Sequence, residues 1–203
     1  MSTPRIPLPG PDEMTAAQRA VFDKIVSGPR GTLVGPLRAA MHNPALADCW
    51  QALGQVLRYE TSLPDSLNEL AILVAARHWN SELEWTIHAG AARRAGLDEG
   101  VIEALRAGRL PDFTSEAERE IYEFSRQLLE TGRVSEASYT AVRARWDALG
   151  VVELTALVGY YSMVAMTLNA HGIPLPDHIP AELNSTPDTR TALPPSLRPA
   201  TAQ

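Results

Sequence analysis

Apolar residues recur at three- and four-residue spacing along almost the whole chain, and the breaks between the periodic stretches carry helix caps. Thr15 caps a predicted helix over 16–27 that stops at Gly28. Pro36 opens a short helix ending near His42, and Asn43-Pro44 reads as cap and first position of a helix reaching about Tyr59. Pro64 and Asp65 open the next, which ends near Trp79. Asn80 caps its successor, and Gly96 closes it. Asp98 starts a short helix that ends before Gly108, and Ser115-Glu-Ala-Glu118 reads as a capping box for a helix to about Thr131. Ser135 caps another, ended by Gly150. The last helix spans about 151–170, with Glu153 as its only ionised residue, and is expected to form the centre of the core. No segment alternates as a strand with hairpin turns, so the pattern predicts an all-α domain.

The ends depart from this pattern. Residues 1–12 are Pro-rich and are expected to form a mobile arm, residues 13–183 the folded domain, and residues 184–203 a disordered tail rich in Pro, Thr and Ser. Between them, Ile173-Pro-Leu-Pro-Asp-His-Ile-Pro180 alternates apolar residues with prolines and is expected to lie extended against the body or a neighbouring subunit. At 203 residues, 45% of them hydrophobic, the chain can build one substantial core. A net charge of −6 with scattered arginines argues against nucleic acid as a partner. No apolar run approaches the ~20 residues of a membrane span, and the start lacks the basic and apolar segments of a signal peptide, so a soluble cytoplasmic protein is expected. The single cysteine, Cys49, excludes an internal disulfide, a CxxC redox centre and a cysteine zinc site.

Candidate chemistry gathers in Asn80-Ser-Glu-Leu-Glu-Trp-Thr-Ile-His88. Ser81, Glu84 and His88 stand three and four residues apart and share a helical face, so a hydroxyl, a carboxylate and an imidazole can act together. Glu84, one turn before His88, can orient the ring and raise its pKa, or the two form an ordinary intrahelical pair. Glu69 lies in Leu67-Asn-Glu-Leu-Ala-Ile-Leu-Val-Ala-Ala76, where a carboxylate among apolar neighbours needs a partner or a proton. Arg77 is the nearest cation by sequence for an acidic substrate. Trp85, Tyr160, Tyr161 and Met163 line a cavity or are plain core. Gly54 and Gly159 read as sites of close helix packing. His42, His78 and His171 read as helix-end residues. A divalent metal on Glu69, Glu84 and His88 is the competing reading, opposed by the lack of a second histidine at ligand spacing.

Glu69, Ser81, Glu84 and His88, followed by Arg93-Arg94-Ala-Gly-Leu97, resemble the carboxymuconolactone decarboxylase and alkylhydroperoxidase D (AhpD) superfamily over roughly residues 40–176. The peroxidase branch carries CxxC, three residues and a histidine, and its cysteine positions fall here on Ser81 and Glu84. Without those thiols, peroxide reduction by thiol–disulfide exchange is not expected. The decarboxylase branch carries Glu-x-x-x-His, which Glu84 and His88 match. The resemblance implies an AhpD-like helical bundle that assembles as a homotrimer or homohexamer. It also implies a lyase of aromatic-compound degradation that acts on a small carboxylate or lactone by His/Glu proton transfer, with no cofactor and no metal. On this reading His88, Glu84 and Glu69 are catalytic, and Ser81, Arg77, Trp85 and Tyr160 bind substrate. A non-catalytic oligomeric binding protein of the same fold is the alternative.

Overall fold

The computed structural model describes residues 3–176, 178–183 and 197. Among them there are no strands, and the helices run α1 Ala16–Ser27, α2 Gly35–Ala40, α3 Pro44–Tyr59, α4 Asp65–His78, α5 Glu82–Arg94, α6 Glu99–Arg106, α7 Glu116–Thr131 and α8 Glu136–His171, after a short 3-10 turn at Pro11–Glu13. The tail expected to be disordered lies, but for Leu197, outside the described residues.

Local chemistry sets most helix starts. The Thr15 hydroxyl accepts from the Gln18 amide while the Gln18 side chain accepts from the Thr15 amide, a reciprocal box that fixes α1. Asn43, Asp98 and Ser135 accept amides of the first turns of α3, α6 and α8. Two expected starts differ. Ser115 precedes α7 but makes no side-chain cap bond, so no capping box forms there. Asn80 does not cap α5. It takes a positive φ of 48°, a conformation that asparagine tolerates better than most residues, and turns the chain so that Ser81 becomes the cap position.

The central helix is α4, not the last one. Leu70 to Ala76 are all at most 1% exposed, and α4 packs against α5, α7 and α8 together. The final segment is instead two-faced. Leu154, Leu157, Tyr161 and Leu168 point inward, while Val152 is 66% exposed and Gly159 has no atom near the position a Cβ would take. Low charge therefore marked a helix with an uncharged outer face, and Gly159 does not serve close packing among the described residues.

The expected boundary at Gly150 also moves. One helix spans the region, broken at Asp147 (φ 55°, ψ −165°). Gly150 is required just after the break, because a Cβ there would lie 2.3 Å from Cβ of Trp146. This 36-residue helix contains a stretch of mean hydropathy 1.5, long and apolar enough by length and composition to cross a membrane, contrary to the expectation above. Half of that stretch is buried within the fold.

The Pro-rich arm expected to be mobile is tied to the body. Arg5 donates its amide to the His171 carbonyl and a guanidinium N–H to the Ala170 carbonyl. Arg38 donates to the Leu8 carbonyl, and the His42 ring bonds the Pro7 carbonyl. At the other end, the Glu82 carboxylate accepts the amides of Glu182 and Leu183, which straps the extended C-terminal segment over α5.

Candidate active site

The turn at Trp79-Asn80-Ser81 folds α5 back along α4. Glu69 stands ten residues before Trp79 and His88 nine after it, so the two side chains meet across the interface. His88 Nδ1 lies 2.7 Å from Glu69 Oε2, and both side chains are buried. With the carboxylate accepting, Nδ1 carries the proton, and Nε2 has no hydrogen-bond partner among the described residues. Burial is the largest influence on the His88 pKa and lowers it. The Glu69 charge works the other way, while Arg58 and Arg30 add to the lowering. Neutral imidazole is the favoured form.

Glu84 is placed differently from the expectation. It does not bond His88, so it neither orients the ring nor raises its pKa; Glu69 does both. Glu84 is 2% exposed, neither carboxylate oxygen finds a hydrogen-bond partner among the described residues, and burial pushes its pKa well above the usual carboxylate value. The Ser81 hydroxyl opposes that rise without reaching hydrogen-bond geometry. Glu84 and His88 line one small cavity of about 60 Å³, with Arg30, Arg58, Tyr160 and Tyr161 around them. A neutral base and a carboxyl held toward its protonated form thus face the same space.

Aromatic rings carry the wall of that cavity back to α3. Tyr161 sets its ring edgewise on His88 (4.8 Å between centroids, 83°), Tyr160 stands edgewise to Tyr161 (5.2 Å, 80°), and Trp50 to Tyr160 (6.4 Å, 90°). Gly54 on α3 makes room for this arrangement: a Cβ there would lie 2.0 Å from the Tyr160 hydroxyl and 2.3 Å from Arg30 Nη2. Among the described residues, Arg30 Nε and Nη2 are buried without a partner at hydrogen-bond geometry, although Arg30 lies close enough to the Tyr160 hydroxyl to oppose the rise that burial gives its pKa. Two positive groups therefore surround the acid and base, and one has donors to spare.

Several expected residues lie elsewhere. Arg77 does not face the cavity; it donates to the Arg106 carbonyl and to the Asn80 side chain, and its charge stabilises a loop. Trp85 is fully buried and donates its indole N–H to Glu182, so it holds the C-terminal strap rather than the cavity wall. Ser81 is fully buried at the start of α5 and does not line the cavity, nor does Met163. Tyr160 does. Glu69 lines a second groove with Arg58, Asp65, Asn68 and Arg94, and Arg58 borders both this groove and the His88 cavity. The cations of the cavity, Arg30 and Arg58, were missed. Arg30 sits in the Gly28-Pro-Arg-Gly31 turn and Arg58 in the last turn of α3, and neither carries a periodicity or motif that marks it. Among the described residues no three His, Cys, Asp or Glu side chains are grouped to hold a metal ion. Cys49 is exposed on α3 and is not part of the cavity wall.

Residues 44–127, which span α3 to most of α7, match the model of the Carboxymuconolactone decarboxylase family. The fold is similar to that of the alkylhydroperoxidase AhpD core, an uncharacterized peroxidase-related protein from Ralstonia eutropha JMP134, with a TM-score of 0.70, 14% identity, and coverage of 87% of this chain and 94% of that one. An uncharacterized peroxidase-related protein from Silicibacter sp. TM1040 is similar at a TM-score of 0.69 and 15% identity, over 87% and 93% of the two chains. So is a cysteine-to-alanine variant of the debrominase Bmp8 in complex with 2,3,4-tribromopyrrole, at 0.68 and 16%, over 87% and 94%. No curated protein matches the chain. Residues 44–127 are thus similar to the Carboxymuconolactone decarboxylase family, and the chain has the AhpD-like fold of these structures.

Proposed function

We propose that the protein is a cofactor-independent proton-transfer enzyme of the decarboxylase type, acting on a small organic acid or lactone acid. The observation that carries this reading is the pairing, at one cavity, of a Glu69-oriented neutral His88 with a buried, unpartnered Glu84. Arg30 and Arg58 supply the charge that would hold a substrate carboxylate. Loss of carbon dioxide leaves an electron pair on carbon that must be delocalised into a conjugated carbonyl and then take up a proton. Glu84 is the proton donor in this scheme, and His88 Nε2 is the base that takes a substrate or water proton, its imidazolium stabilised by Glu69. The neighbours named for peroxidase-like proteins and a debrominase share the fold only. A thiol route is not supported by Cys49, which lies outside the cavity. Assembly as a trimer or hexamer belongs to the same proposal, with the outer face of the C-terminal part of α8, where Val152 and Met166 are exposed, as the surface to bury. Light scattering at micromolar concentration tests it, and a monomer rules it out.

The catalytic reading is tested by following a panel of unsaturated lactone acids by NMR in deuterated water, which reports both carbon dioxide loss and deuterium uptake at carbon. His88→Ala should lower turnover ~10²–10⁴-fold with ligand affinity nearly unchanged. Full activity in His88→Ala on a confirmed substrate would place the chemistry elsewhere.

A further inference from the structure

The His88 cavity, at about 60 Å³, has room for a few non-hydrogen atoms only, whereas sites that enclose a whole small molecule usually span ~300–1,000 Å³. Most of any substrate must therefore lie outside it. The adjoining space is a groove of about 970 Å³, and Val34, Leu83 and Ile87 line both. Its other walls come from parts of the chain distant in sequence: Ile6 and Leu8 of the N-terminal arm, Leu33 before α2, and Ile173, Leu175 and Ile179 of the extended C-terminal segment. The polar hydrogen bonds that hold the two segments in place, through Arg5, Arg38 and Glu82, leave these apolar side chains toward the groove.

Charge is distributed along this path in one direction. Inside, Arg30 and Arg58 flank the acid and base, and two nitrogens of Arg30 have no hydrogen-bond partner among the described residues. Outside, Arg5 and Arg38 already donate to the Ala170 and Leu8 carbonyls. We infer that the substrate is an amphipathic acid, its carboxylate seated by Arg30 and Arg58 beside His88 and its unbranched or cyclic hydrocarbon tail lying in the groove between the N-terminal arm and Ile173, Leu175 and Ile179 of the C-terminal segment. This rests on the inner cavity being the head-group site, and names the substrate class the cavity alone does not. The arm and the C-terminal segment, which lie outside the 44–127 family match, are then specificity elements.

The test is a binding series on the full chain, using isothermal titration with straight-chain monocarboxylates from butanoate to dodecanoate below their micelle concentrations. Each methylene seated in the groove is expected to tighten binding about fourfold, until the groove is full and the series levels off. Ile173→Asp and, separately, Ile6→Asp should flatten that dependence and leave butanoate affinity unchanged; having one variant on each segment guards against one failing to fold. Arg30→Met should weaken every member by a similar factor and keep the slope. A flat series in the unaltered protein overturns the inference, and so does a slope that survives both groove variants. A slope seen only after dilution from oligomer to monomer, followed by light scattering, also overturns it, since a second copy would then occupy the groove. His88→Gln must retain the slope, because tail binding does not require proton transfer. A slope without carbon dioxide loss or deuterium uptake would remove the catalytic reading and leave the groove standing.

Discussion

Replacing Glu84 with Gln keeps the shape of the side chain but removes its capacity to ionise or to give up a proton. The wild-type carboxyl is 2% exposed, has no partner at either oxygen among the described residues, and is held by burial well above its ordinary value of 4.5. Between 4.5 and that raised value the folded protein keeps a proton that the unfolded chain has lost, so stability falls as pH rises through the window. Each unit of displacement corresponds to about 1.4 kcal/mol. Below pH 4.5 both states are protonated, and the wild type and Glu84→Gln should agree within about 1 kcal/mol, since a neutral amide replaces a neutral acid of the same size. Above it, the variant should become progressively the more stable of the two.

His88 contributes a slope of the opposite sign. Its folded pKa lies below 6.5, so between that value and 6.5 the unfolded chain binds the extra proton and stability rises with pH. In wild type the two slopes oppose each other where their windows overlap; in Glu84→Gln the rise due to His88 should stand uncovered. Urea unfolding from pH 4 to 9, read by tryptophan fluorescence, measures both. Turnover in the same variant should drop by ~10²–10⁴ as the proton donor is lost, with little change in affinity. A constant loss of stability at every pH, with turnover retained, would refute the reasoning. That result would make Glu84 a structural acceptor.

Gly54→Ala sets two effects against each other: alanine favours the helix by ~0.8–1.0 kcal/mol, but its Cβ would lie 2.0 Å from the Tyr160 hydroxyl and 2.6 Å from its Cζ. Tyr160 is wedged between Trp50 and Tyr161, so the ~1–3 kcal/mol cost of overpacking should win, and a variant more stable than wild type in urea would contradict the close approach. Cys49→Ser should leave turnover unchanged, and a coupled peroxide assay with dithiol reductants should stay at background in both proteins; peroxide turnover lost in Cys49→Ser would reverse the choice of branch.

Helix ends could be read from the sequence wherever a cap is a bond within one turn, as at Thr15, Asn43, Asp98 and Ser135. The sequence does not mark them where backbone conformation rather than a side-chain bond decides: Asn80 with its positive φ, and the break at Asp147 that makes Gly150 an accommodation of Trp146 rather than a stop. Low charge identified the last helix as unusual but not which of its faces was covered, because an apolar outer face and a core face have the same composition.

The candidate site divides along the same line. Helical spacing places Glu84 and His88 on one side of α5, and both do line one cavity, yet the spacing invited a bond between them that the fold makes elsewhere. Two residues on one face present their side chains to a third element, and that element decides which is partnered. Here α4 supplies Glu69 to His88 and, among the described residues, nothing to Glu84, so the carboxylate that orients the ring is Glu69 and not Glu84. Glu69 was legible because a carboxylate inside an apolar run is costly unless it is partnered. Arg30 was not: it lies in a polar turn where an arginine costs nothing, and its position beside Tyr160 depends on a glycine twenty-four residues later. Nearness in sequence points to Arg77, but an arginine at the end of α4 is carried by that helix toward α6, away from the face that α5 and α8 close. On the proposed function, the charges that would hold a substrate come from outside the α4–α5 pair, so a motif confined to that pair carries no mark of them.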